Sequence, residues 1–370
     1  MPRPILATIK ASALAHNLAL ARERAPHSKI WAVVKANAYG HGLVAAARAL
    51  QDADGYAMLD FEEAIRLRLQ GVKKPILLLE GFFKPQDVAL LCEYDLTPAV
   101  HNLEQIEILE RTALAKPIDA YLKVNSGMNR LGFAVDNVRI AWNALHNHAQ
   151  IRSVTLMTHF ADADGDAGVA GQLEWFNSLT QPMQGPRCLA NSAAVLRYPD
   201  THADWVRPGI MLYGCSPFGF NPGGSDAGDF TAQDQSAEGL GLEPVMTLTT
   251  EVIALQNLQP GERVGYGFSF EATEEMTIGV VACGYADGYP RLAPSGTPVI
   301  VGGQRTRTVG RVSMDMICVD LTTVPEAYIG TPVTMWGDGL SADEVAASAG
   351  TLSYELLCGL AARVPVVEVP

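Results

Sequence analysis

From residue 30 to about residue 214, short apolar runs alternate with stretches that have a helix-like pattern. An uninterrupted apolar run is typical of a strand buried on both faces, as in a parallel sheet. The alternation therefore predicts repeated strand–helix units. The apolar runs are 30–35, 55–59, 75–79, 96–100, 119–124, 153–159, 187–191 and 205–212, and the helical stretches include 42–50, 60–70, 102–115 and 137–148.

Eight such units in one segment predict an α/β fold, with an N-terminal TIM (β/α)8 barrel followed by a mostly β C-terminal domain. A doubly wound sheet is the competing prediction. The count of eight favours the barrel. In addition, no Gly-x-Gly-x-x-Gly motif follows the first run, where a doubly wound dinucleotide-binding sheet would carry it.

The period changes to two after about residue 240, beginning with Thr247–Ile253. Short alternating runs separated by Gly and Pro continue to about residue 338 and are typical of half-buried strands. A helix or two near 341–362 and a strand at Val366–Val369 close the chain.

These patterns predict two domains, a barrel over 11–235 and a β-rich domain over 240–370. The Gly-, Asp- and Ser-rich stretch 219–240 is predicted to be a surface loop or linker. The barrel does not need the strand predicted within 3–10, so we expect this strand to join the β domain.

Polar residues occur where five of the eight predicted strands end. Barrel active sites form at these C-terminal ends, and a phosphate is often held after strands seven and eight. Ser192 and the amides of Gly209 and Ile210 are therefore phosphate candidates, although Ser192 taken alone is better explained as a helix cap. The strand-end residues are Lys35, Lys123 with Asn125 and, just beyond, Arg130, then His159, Asn191 with Ser192, and Arg207 with Gly209.

Lys35 ends the apolar run Ile30–Val34 and precedes a loop with two glycines and a tyrosine. A lysine is rarely buried without a reason, because removing an ammonium group from water is costly. A desolvated lysine has a lowered pKa and is a usable amine for Schiff-base chemistry. The alternative is a strand-end lysine whose ammonium group reaches solvent.

The formal net charge of −13 argues against a nucleic-acid partner, which would require a basic face. No apolar run approaches the roughly 20 residues that span a bilayer, and the first ten residues lack the apolar core of a signal peptide. The six cysteines form no Cys-x-x-Cys pair. We therefore expect no metal site, no membrane association and free thiols in the cytoplasm.

The segment Val33–Gly42, with the sequence VVKANAYGHG, resembles the cofactor-lysine segment of alanine racemases, which use pyridoxal 5'-phosphate (PLP). The resemblance spans nearly the whole chain apart from 219–240. It implies interconversion of L- and D-alanine, supply of D-alanine for bacterial peptidoglycan, and a head-to-tail homodimer. Each active site would combine the barrel of one chain with the β domain of the other. The other matching segments are Lys123–Phe133, Arg263–Gly267, Cys283–Arg291 and Gly310–Asp315.

The resemblance assigns the cofactor contacts mostly to the barrel. Lys35 would carry PLP and serve as one base, and His159 would lie beside the pyridine ring. Arg207 would face the ring nitrogen, and Arg130 would contact the substrate carboxylate and the cofactor hydroxyl. Lys123 matches a position that is carbamylated in several family members, and a salt bridge is the alternative for this lysine.

The β domain would supply the second base, Tyr266, and the N–H of Met314 as a contact for the substrate carboxylate. The continuation Phe268–Phe270 departs from the family pattern. The remaining assignments concern phosphate contacts and the entrance. They are Tyr39 and Tyr354 at the phosphate, Tyr285 with Tyr354 at a narrow inner entrance, and Asp164, Arg291 and Arg311 in the layer outside it.

Three alternative functions stay open at this point. The nearest is a PLP-dependent racemase of broader specificity, because a pocket discriminates one methylene by only about 1–3 kcal/mol. The second is a PLP-binding regulatory barrel protein, although such proteins typically lack the β domain. The third is an aldolase that uses a lysine without PLP, which would have no use for a phosphate site.

Overall fold

The computed structural model describes residues 3–220 and 235–370, so most of the predicted loop 219–240 lies outside the described residues. The chain divides into two compact units. The domain limits 11–235 and 240–370 stay a prediction. The barrel unit comprises Ala15–Ala38 and Gly42–Leu212, and the β unit comprises Met1–Leu14, Tyr39–His41 and Tyr213–Pro370.

In the described part of the barrel unit, eight parallel strands form a closed barrel, which confirms the predicted fold class. The last strand pairs with the first through Lys29 with Trp205 and Ile30 with Val206. The strands are β2 (Lys29–Val33), β3 (Gly55–Met58), β4 (Ile76–Leu78), β5 (Leu96–Val100), β6 (Ile118–Lys123), β7 (Ile151–Met157), β8 (Arg187–Asn191) and β9 (Trp205–Arg207).

Aromatic side chains fill part of the barrel interior. Trp31 of β2 stacks on Trp205 of β9 with ring centroids 4.3 Å apart, and its Nε1 donates to the hydroxyl of Tyr121 on β6 at 2.8 Å. Since β2 and β6 are not neighbours, this hydrogen bond crosses the barrel. A Cβ at Gly55 would lie 2.2 Å from the Trp31 ring, so only glycine fits there.

Helices follow most barrel strands. Three of the four predicted helical stretches contain a helix, and the fourth, 137–148, overlaps α7, which begins two residues earlier. The hydrophobic spacing explains α7, which buries Val138, Ala141, Trp142 and Leu145 on one face. The helices are α1 (Ala11–Arg24), the short turn α2 (Lys35–Tyr39), α3 (Leu43–Ala49), α4 (Phe61–Leu69), α5 (Asp87–Glu93), α6 (Leu103–Arg111), α7 (Val135–His146), α8 (Ala170–Thr180) and α9 (Ser192–Arg197).

Four of the predicted apolar runs are longer than the strands found there, and the differences at β2 and β9 bear on the site. β2 ends at Val33, two residues before Lys35. β9 ends at Arg207, because Pro208 has no N–H for the ladder, and a 3-10 turn follows at Ile210–Tyr213.

The β unit is built around an eight-stranded sheet in its described residues. The long strand β10 alternates as the sequence predicts, burying Met246, Leu248, Thr250 and Val252. The strands are β1 (Leu6–Lys10), β10 (Met246–Leu258), β13 (Met276–Val281), β14 (Pro298–Val301), β15 (Gln304–Val309), β16 (Ile317–Asp320), β17 (Pro332–Trp336) and β18 (Val366–Val369), with a separate hairpin of β11 (Arg263–Val264) and β12 (Phe270–Glu271) and the helices α10 (Ala342–Ser348) and α11 (Ser353–Cys358).

Both ends of the chain take part in this sheet. β1 lies antiparallel to β10 and parallel to β18. Nearby, the fully buried carboxylate of Asp287 accepts from Arg3 Nη1 at 2.8 Å and from Arg363 Nε at 2.7 Å. Its other oxygen accepts the N–H of Gly284 at 2.9 Å. One carboxylate thus ties together the two termini and the loop after β13.

We predict that Asp287→Ala lowers the free energy of unfolding by roughly 3 kcal/mol, because it leaves two arginines without their buried partner. Urea titration measures the change. Asp338→Ala is the control, since Asp338 is exposed, and should stay within about 0.5 kcal/mol of the parent. Equal effects of the two substitutions would contradict the role given to Asp287.

Candidate active site

The chain leaves β2 through a left-handed helical turn at α2. Ala36, Asn37 and Ala38 have φ of 55°, 53° and 55°, and Tyr39 has φ of 52°. This conformation costs residues other than glycine roughly 1–2 kcal/mol each. Lys35 is half-buried and stands directly before these four residues. The sequence predicted only a loop here, because alanine and tyrosine give no signal for a left-handed backbone.

Asn37 organises this turn with its own polar atoms. Its Oδ1 accepts the N–H of Leu43 at 2.9 Å, and its carbonyl accepts the N–H of Gly42 at 3.0 Å. The N–H of Ala38 donates to the carbonyl of Val34 at 2.9 Å. These bonds connect the end of β2 to the start of α3 and fix the backbone from which the Lys35 side chain extends.

Arg207 lies at the end of β9 and is only 5% exposed. Its guanidinium donates to the carbonyls of Cys188 and Thr158, both at 2.8 Å, and of Leu189 at 3.2 Å. It also lies 3.1 Å from the Cys188 sulfur. Among the described carboxylates none forms an ion pair with Arg207. Carbonyl oxygens of β8 and of the residue that follows β7 therefore hold this buried cation in place.

His159 follows β7, and its Nδ1 lies 3.4 Å from Nη2 of Arg207. Burial, and then the positive charges of Arg207, Lys123, Arg130 and Lys35, hold the pKa of His159 well below its usual value. The imidazole is therefore neutral near pH 7. The same four charges indicate that this end of the barrel favours an anionic ligand.

Lys123 ends β6 and is 8% exposed. Burial lowers the pKa of Lys123 to about 8, and Arg207, Arg130 and Lys35 add to the effect while Glu80 opposes it. Among the described residues Lys123 has no ion-pair partner, so the salt-bridge alternative finds no support. The lowered pKa increases the neutral fraction of this amine near pH 7, and the neutral amine is the form that reacts with carbon dioxide.

Arg130 extends from a loop that is held by its own amides. Asn125 Oδ1 accepts the N–H of Gly127 at 3.1 Å and that of Asn129 at 3.0 Å, and Asn125 Nδ2 donates to Asn129 Oδ1 at 3.0 Å. At Gly132, φ is 120° and a Cβ would lie 2.7 Å from the Asn125 nitrogen, so the loop requires glycine. The loop is thus a defined support for the exposed Arg130 side chain.

The phosphate candidates lie together at the ends of β8 and β9. The hydroxyl of Ser192 accepts the N–H of Gly209 at 2.8 Å. Ile210 is fully buried and begins the following 3-10 turn. The Gly209 amide is therefore bonded to Ser192 in this structure, and the role of the three residues as a phosphate site stays a prediction.

Two further polar residues lie at strand ends and were not predicted from the sequence. Glu80 follows β4 and His101 follows β5, and the carbonyl of Glu80 lies 3.0 Å from Nε2 of His101. Burial lowers the pKa of His101, and the positive charge of Lys123 adds to this effect. The rule that selected Lys35, namely a polar residue just after an apolar run, would have selected both.

In the β unit, Tyr39 is buried among aromatic rings. It stacks on Tyr213 with centroids 4.6 Å apart, and the Tyr354 ring lies 6.1 Å away. Burial, with a smaller effect of Cys358, raises the pKa of Tyr39. Its hydroxyl therefore stays protonated and can donate a hydrogen bond. The sequence predicted Tyr39 and Tyr354 as phosphate contacts, and the structure brings these two tyrosines together.

Tyr266 lies between β11 and β12 and is 71% exposed in the isolated chain. Gly265 and Gly267 on either side have φ of 72° and 71°. A Cβ at Gly267 would lie 2.9 Å from the guanidinium of Arg311. Phe268, the unusual residue in this segment, takes a φ of 49° and is also exposed. The turn thus presents two aromatic side chains at the surface.

The predicted entrance residue Tyr285 and the predicted substrate contact Met314 lie on adjoining loops. The N–H of Tyr285 donates to Ser313 and that of the next residue, Ala286, donates to Met314, both at 3.0 Å. The Arg291 guanidinium lies 6.0 Å from the centre of the Tyr285 ring. These contacts fix the two loops as one surface.

Asp164 belongs to the barrel unit, where its carbonyl accepts from Arg197 at 3.4 Å. Arg291 and Arg311 belong to the β unit. A common entrance layer formed by these three residues stays a prediction.

Within residues 3–220 and 235–370, no cluster of three or more His, Cys, Asp or Glu side chains is arranged to hold a metal ion. Among the helices of the same residues, none is long and apolar enough to cross a membrane.

Comparison with known proteins decides the family. The model of the alanine racemase N-terminal domain matches residues 9–217, and that of the C-terminal domain matches residues 245–368. The chain belongs to the alanine racemase family. An alanine racemase of Paraburkholderia phytofirmans is 55% identical over 366 residues, which are 99% of both chains.

Solved structures of alanine racemases share the fold over the full length. The biosynthetic alanine racemase of Pseudomonas aeruginosa matches with a TM-score of 0.93 and 46% identity, covering 100% of each chain. An alanine racemase of Bartonella henselae, whose structure contains covalently bound pyridoxal phosphate, matches with a TM-score of 0.85 and 26% identity, again over 100% of each chain. The family likeness expected from the Lys35 segment is thereby confirmed.

The lowered pKa of Lys123 predicts a pH dependence of stability. Lys123 has a pKa near 10.5 in the unfolded chain and about 8 in the folded protein. Below pH 8 the charged lysine therefore lowers the free energy of unfolding, and this penalty disappears as the pH rises toward 10.5. In carbon-dioxide-free buffer, the cofactor-free parent should gain up to about 3 kcal/mol relative to Lys123→Met between pH 7 and pH 10.

Urea titrations at several pH values measure this difference, with the exposed Lys73 changed to Met as the control. A difference between parent and Lys123→Met that does not vary with pH would contradict the assigned pKa.

Proposed function

We propose that the protein is a PLP-dependent alanine racemase that interconverts L- and D-alanine. Family membership supports this proposal, and one observation of the site carries it. At the C-terminal ends of the barrel strands, four positive charges all lower the pKa of His159. They belong to Lys35, Lys123, Arg130 and Arg207. Such a concentration of positive charge suits a ligand with a phosphate, a phenolic oxygen and a substrate carboxylate.

The donor groups of the chain fit PLP. The Ser192 hydroxyl, the amides of Gly209 and Ile210, and the hydroxyls of Tyr39 and Tyr354 would be the phosphate contacts. Burial raises the pKa of Tyr39, which keeps its hydroxyl a donor. Lys35 would hold the cofactor covalently, as the covalent attachment in the Bartonella henselae structure suggests by analogy.

When bound, PLP supplies an electron sink for the pair of electrons left as Cα loses its proton. Arg207 would donate a hydrogen bond to the ring nitrogen without protonating it, because an arginine keeps its own proton. Its hydrogen bonds to the carbonyls of Cys188 and Thr158 would keep the guanidinium in place for that role. A ring nitrogen without a proton withdraws electrons less strongly. This would favour return of the proton to Cα over transamination.

Racemisation needs one proton removed from one face of Cα and one delivered to the other, so two bases are required. Lys35 would serve one face and Tyr266 the other. Tyrosine ordinarily titrates near pH 10, so positive charge near Tyr266 in the assembled site would assist its action. The Arg311 guanidinium beside Gly267 is a candidate for this help.

The remaining residues would bind and select the substrate. Arg130 and the N–H of Met314 would hold its carboxylate, and carbamylation of Lys123 would give Arg130 an anionic partner. Tyr285 and Tyr354 would narrow the inner entrance to favour a small side chain. Asp164, Arg291 and Arg311 would form the layer outside it.

The exposure of Tyr266 and Phe268 in the isolated chain supports a homodimer with shared active sites. A catalytic tyrosine that is 71% exposed needs a covering surface to reach a substrate held elsewhere. In the proposed dimer, the barrel of a second chain provides that surface. The six free cysteines fit a reducing cytoplasm, where the enzyme would supply D-alanine for peptidoglycan.

A racemase of broader specificity is the second candidate function. Pocket size alone rejects one extra methylene by only about 1–3 kcal/mol. A regulatory PLP-binding barrel is disfavoured because the β unit presents Tyr266. Assays with L-alanine and L-serine in parallel separate the first two functions.

We predict that borohydride reduction in the presence of PLP labels Lys35, and that Lys35→Ala abolishes the label and lowers D-alanine formation by at least about 100-fold. Peptide mapping and a chiral assay measure the two effects. Lys73→Ala, at an exposed position, should behave as the parent. A label on another lysine would disprove the assignment of Lys35, and a labelled but inactive parent would disprove the racemase proposal.

A second prediction tests the shared site with two inactive variants, Lys35→Ala and Tyr266→Ala. Mixed under conditions of subunit exchange, they form heterodimers with one site that has both bases and one that has neither. Activity should return to at most half that of the parent per heterodimer. Heterodimers demonstrated by mass but still inactive would mean that both bases come from the same chain.

A further inference from the structure

Glu63, in the first turn of α4, holds the left-handed turn that follows Lys35. Its Oε1 accepts the N–H of Asn37 at 2.8 Å. Its Oε2 is buried and has no hydrogen-bond partner in the described part of the chain. Burial raises the pKa of Glu63, and the Asn37 N–H opposes that rise. Keeping a carboxyl oxygen buried without a partner is costly, so its retention here is not explained by stability.

The turn needs an external support because its own residues do not favour it. The left-handed residues 36–39 include no glycine, and of them only asparagine tolerates this conformation well. The bonds made by Asn37 to Gly42 and Leu43 connect parts of the same segment. The bond from Glu63 is different in kind, since it attaches the turn to a separate helix of the barrel unit.

We propose that Glu63 is a positioning residue that fixes the Asn37 backbone and thereby the place of the Lys35 amine. This inference rests on the proposed function, because it concerns a lysine that reacts. If residues 36–39 relaxed to a right-handed or extended backbone, the direction in which the chain leaves Lys35 would change. A misplacement of about 1 Å at a reacting group can cost as much as 100-fold in rate.

The test compares Glu63→Ala, which removes the acceptor, with Glu63→Gln, which keeps a carbonyl oxygen in the same place. The rate of covalent PLP attachment to the apoprotein, followed by its visible absorption and by borohydride trapping on Lys35, should fall about tenfold or more in Glu63→Ala. kcat should fall in parallel, while KM for alanine changes by less than about threefold. Glu63→Gln should stay within about threefold of the parent.

Two further variants separate positioning from general damage. Glu62→Ala changes the exposed neighbour on the same helix turn and should match the parent. Ala36→Gly, added to Glu63→Ala, gives the turn a residue that adopts left-handed backbone readily, and Ala36 is exposed, so its methyl group contributes little packing. The double variant should regain at least about threefold in attachment rate over Glu63→Ala.

Amide hydrogen exchange gives a reading that needs no cofactor. Exchange at residues 36–43 should quicken about tenfold in Glu63→Ala and stay unchanged in Glu63→Gln. If the parent attaches no PLP at Lys35, the proposed function fails, whereas the exchange result still decides whether Glu63 holds the turn. Should Glu63→Ala not fold, Glu63→Met takes its place, since it keeps the length of the side chain without the acceptor.

Unchanged amide exchange at residues 36–43 in Glu63→Ala would overturn the inference, and so would each of three kinetic results. The first is parent-like attachment and kcat in Glu63→Ala. The second is an equal loss in Glu63→Gln, which would mean that the negative charge matters and not the hydrogen bond. The third is a loss in Glu63→Ala that Ala36→Gly does not relieve, because the conformation of the turn would then not be its cause.

Discussion

The closure of the barrel between β9 and β2 is the constraint on which the candidate site depends. Trp205 and Val206 pair with Lys29 and Ile30, and the N–H of Val33 donates to the carbonyl of Pro208 at 3.1 Å. These bonds join the first strand end to the last. The turn that carries Lys35 is thereby brought to the same end of the barrel as Arg207, although 172 positions separate the two residues along the chain.

The closed barrel also concentrates positive charge in a protein that is negative as a whole. The formal net charge of the protein is −13. Four positive side chains nevertheless lower the pKa of His159, namely Lys35, Lys123, Arg130 and Arg207. Burying like charges near one another opposes folding, and the lowered pKa of Lys123 is one sign of that cost. Repulsion between these positive charges lowers the stability of the fold, but the same charges raise the affinity of the site for an anion. Anion binding and folding stability therefore place opposite demands on these residues.

Much of this arrangement was predictable from local patterns. The apolar runs located all eight barrel strands, because a buried parallel strand has a distinctive composition. The rule on strand ends found Lys35, His159 and Arg207. It would also have found Glu80 and His101 if applied to every run. The resemblance to a known family supplied Tyr266 and Met314, which no period or spacing indicates.

The conformation after Lys35 was not predictable in the same way. A left-handed backbone at Ala36, Ala38 and Tyr39 contradicts the intrinsic preference of those residues, and it depends on bonds such as that from Glu63, distant in sequence. The early end of β9 at Arg207 shows the opposite case. There Pro208 gave a local signal that the ladder could not continue through the apolar run.

The pairing of the two chain ends in one sheet has a consequence for biosynthesis. All residues of the barrel unit lie between positions 15 and 212, so this unit can fold while the ribosome is still adding the rest of the chain. Strand β1 is synthesised before the barrel unit, but its partners β10 and β18 are synthesised after that unit. The sheet of the β unit therefore becomes complete only after β18 has been synthesised, and the exposed edge of β1 must avoid other partners until then.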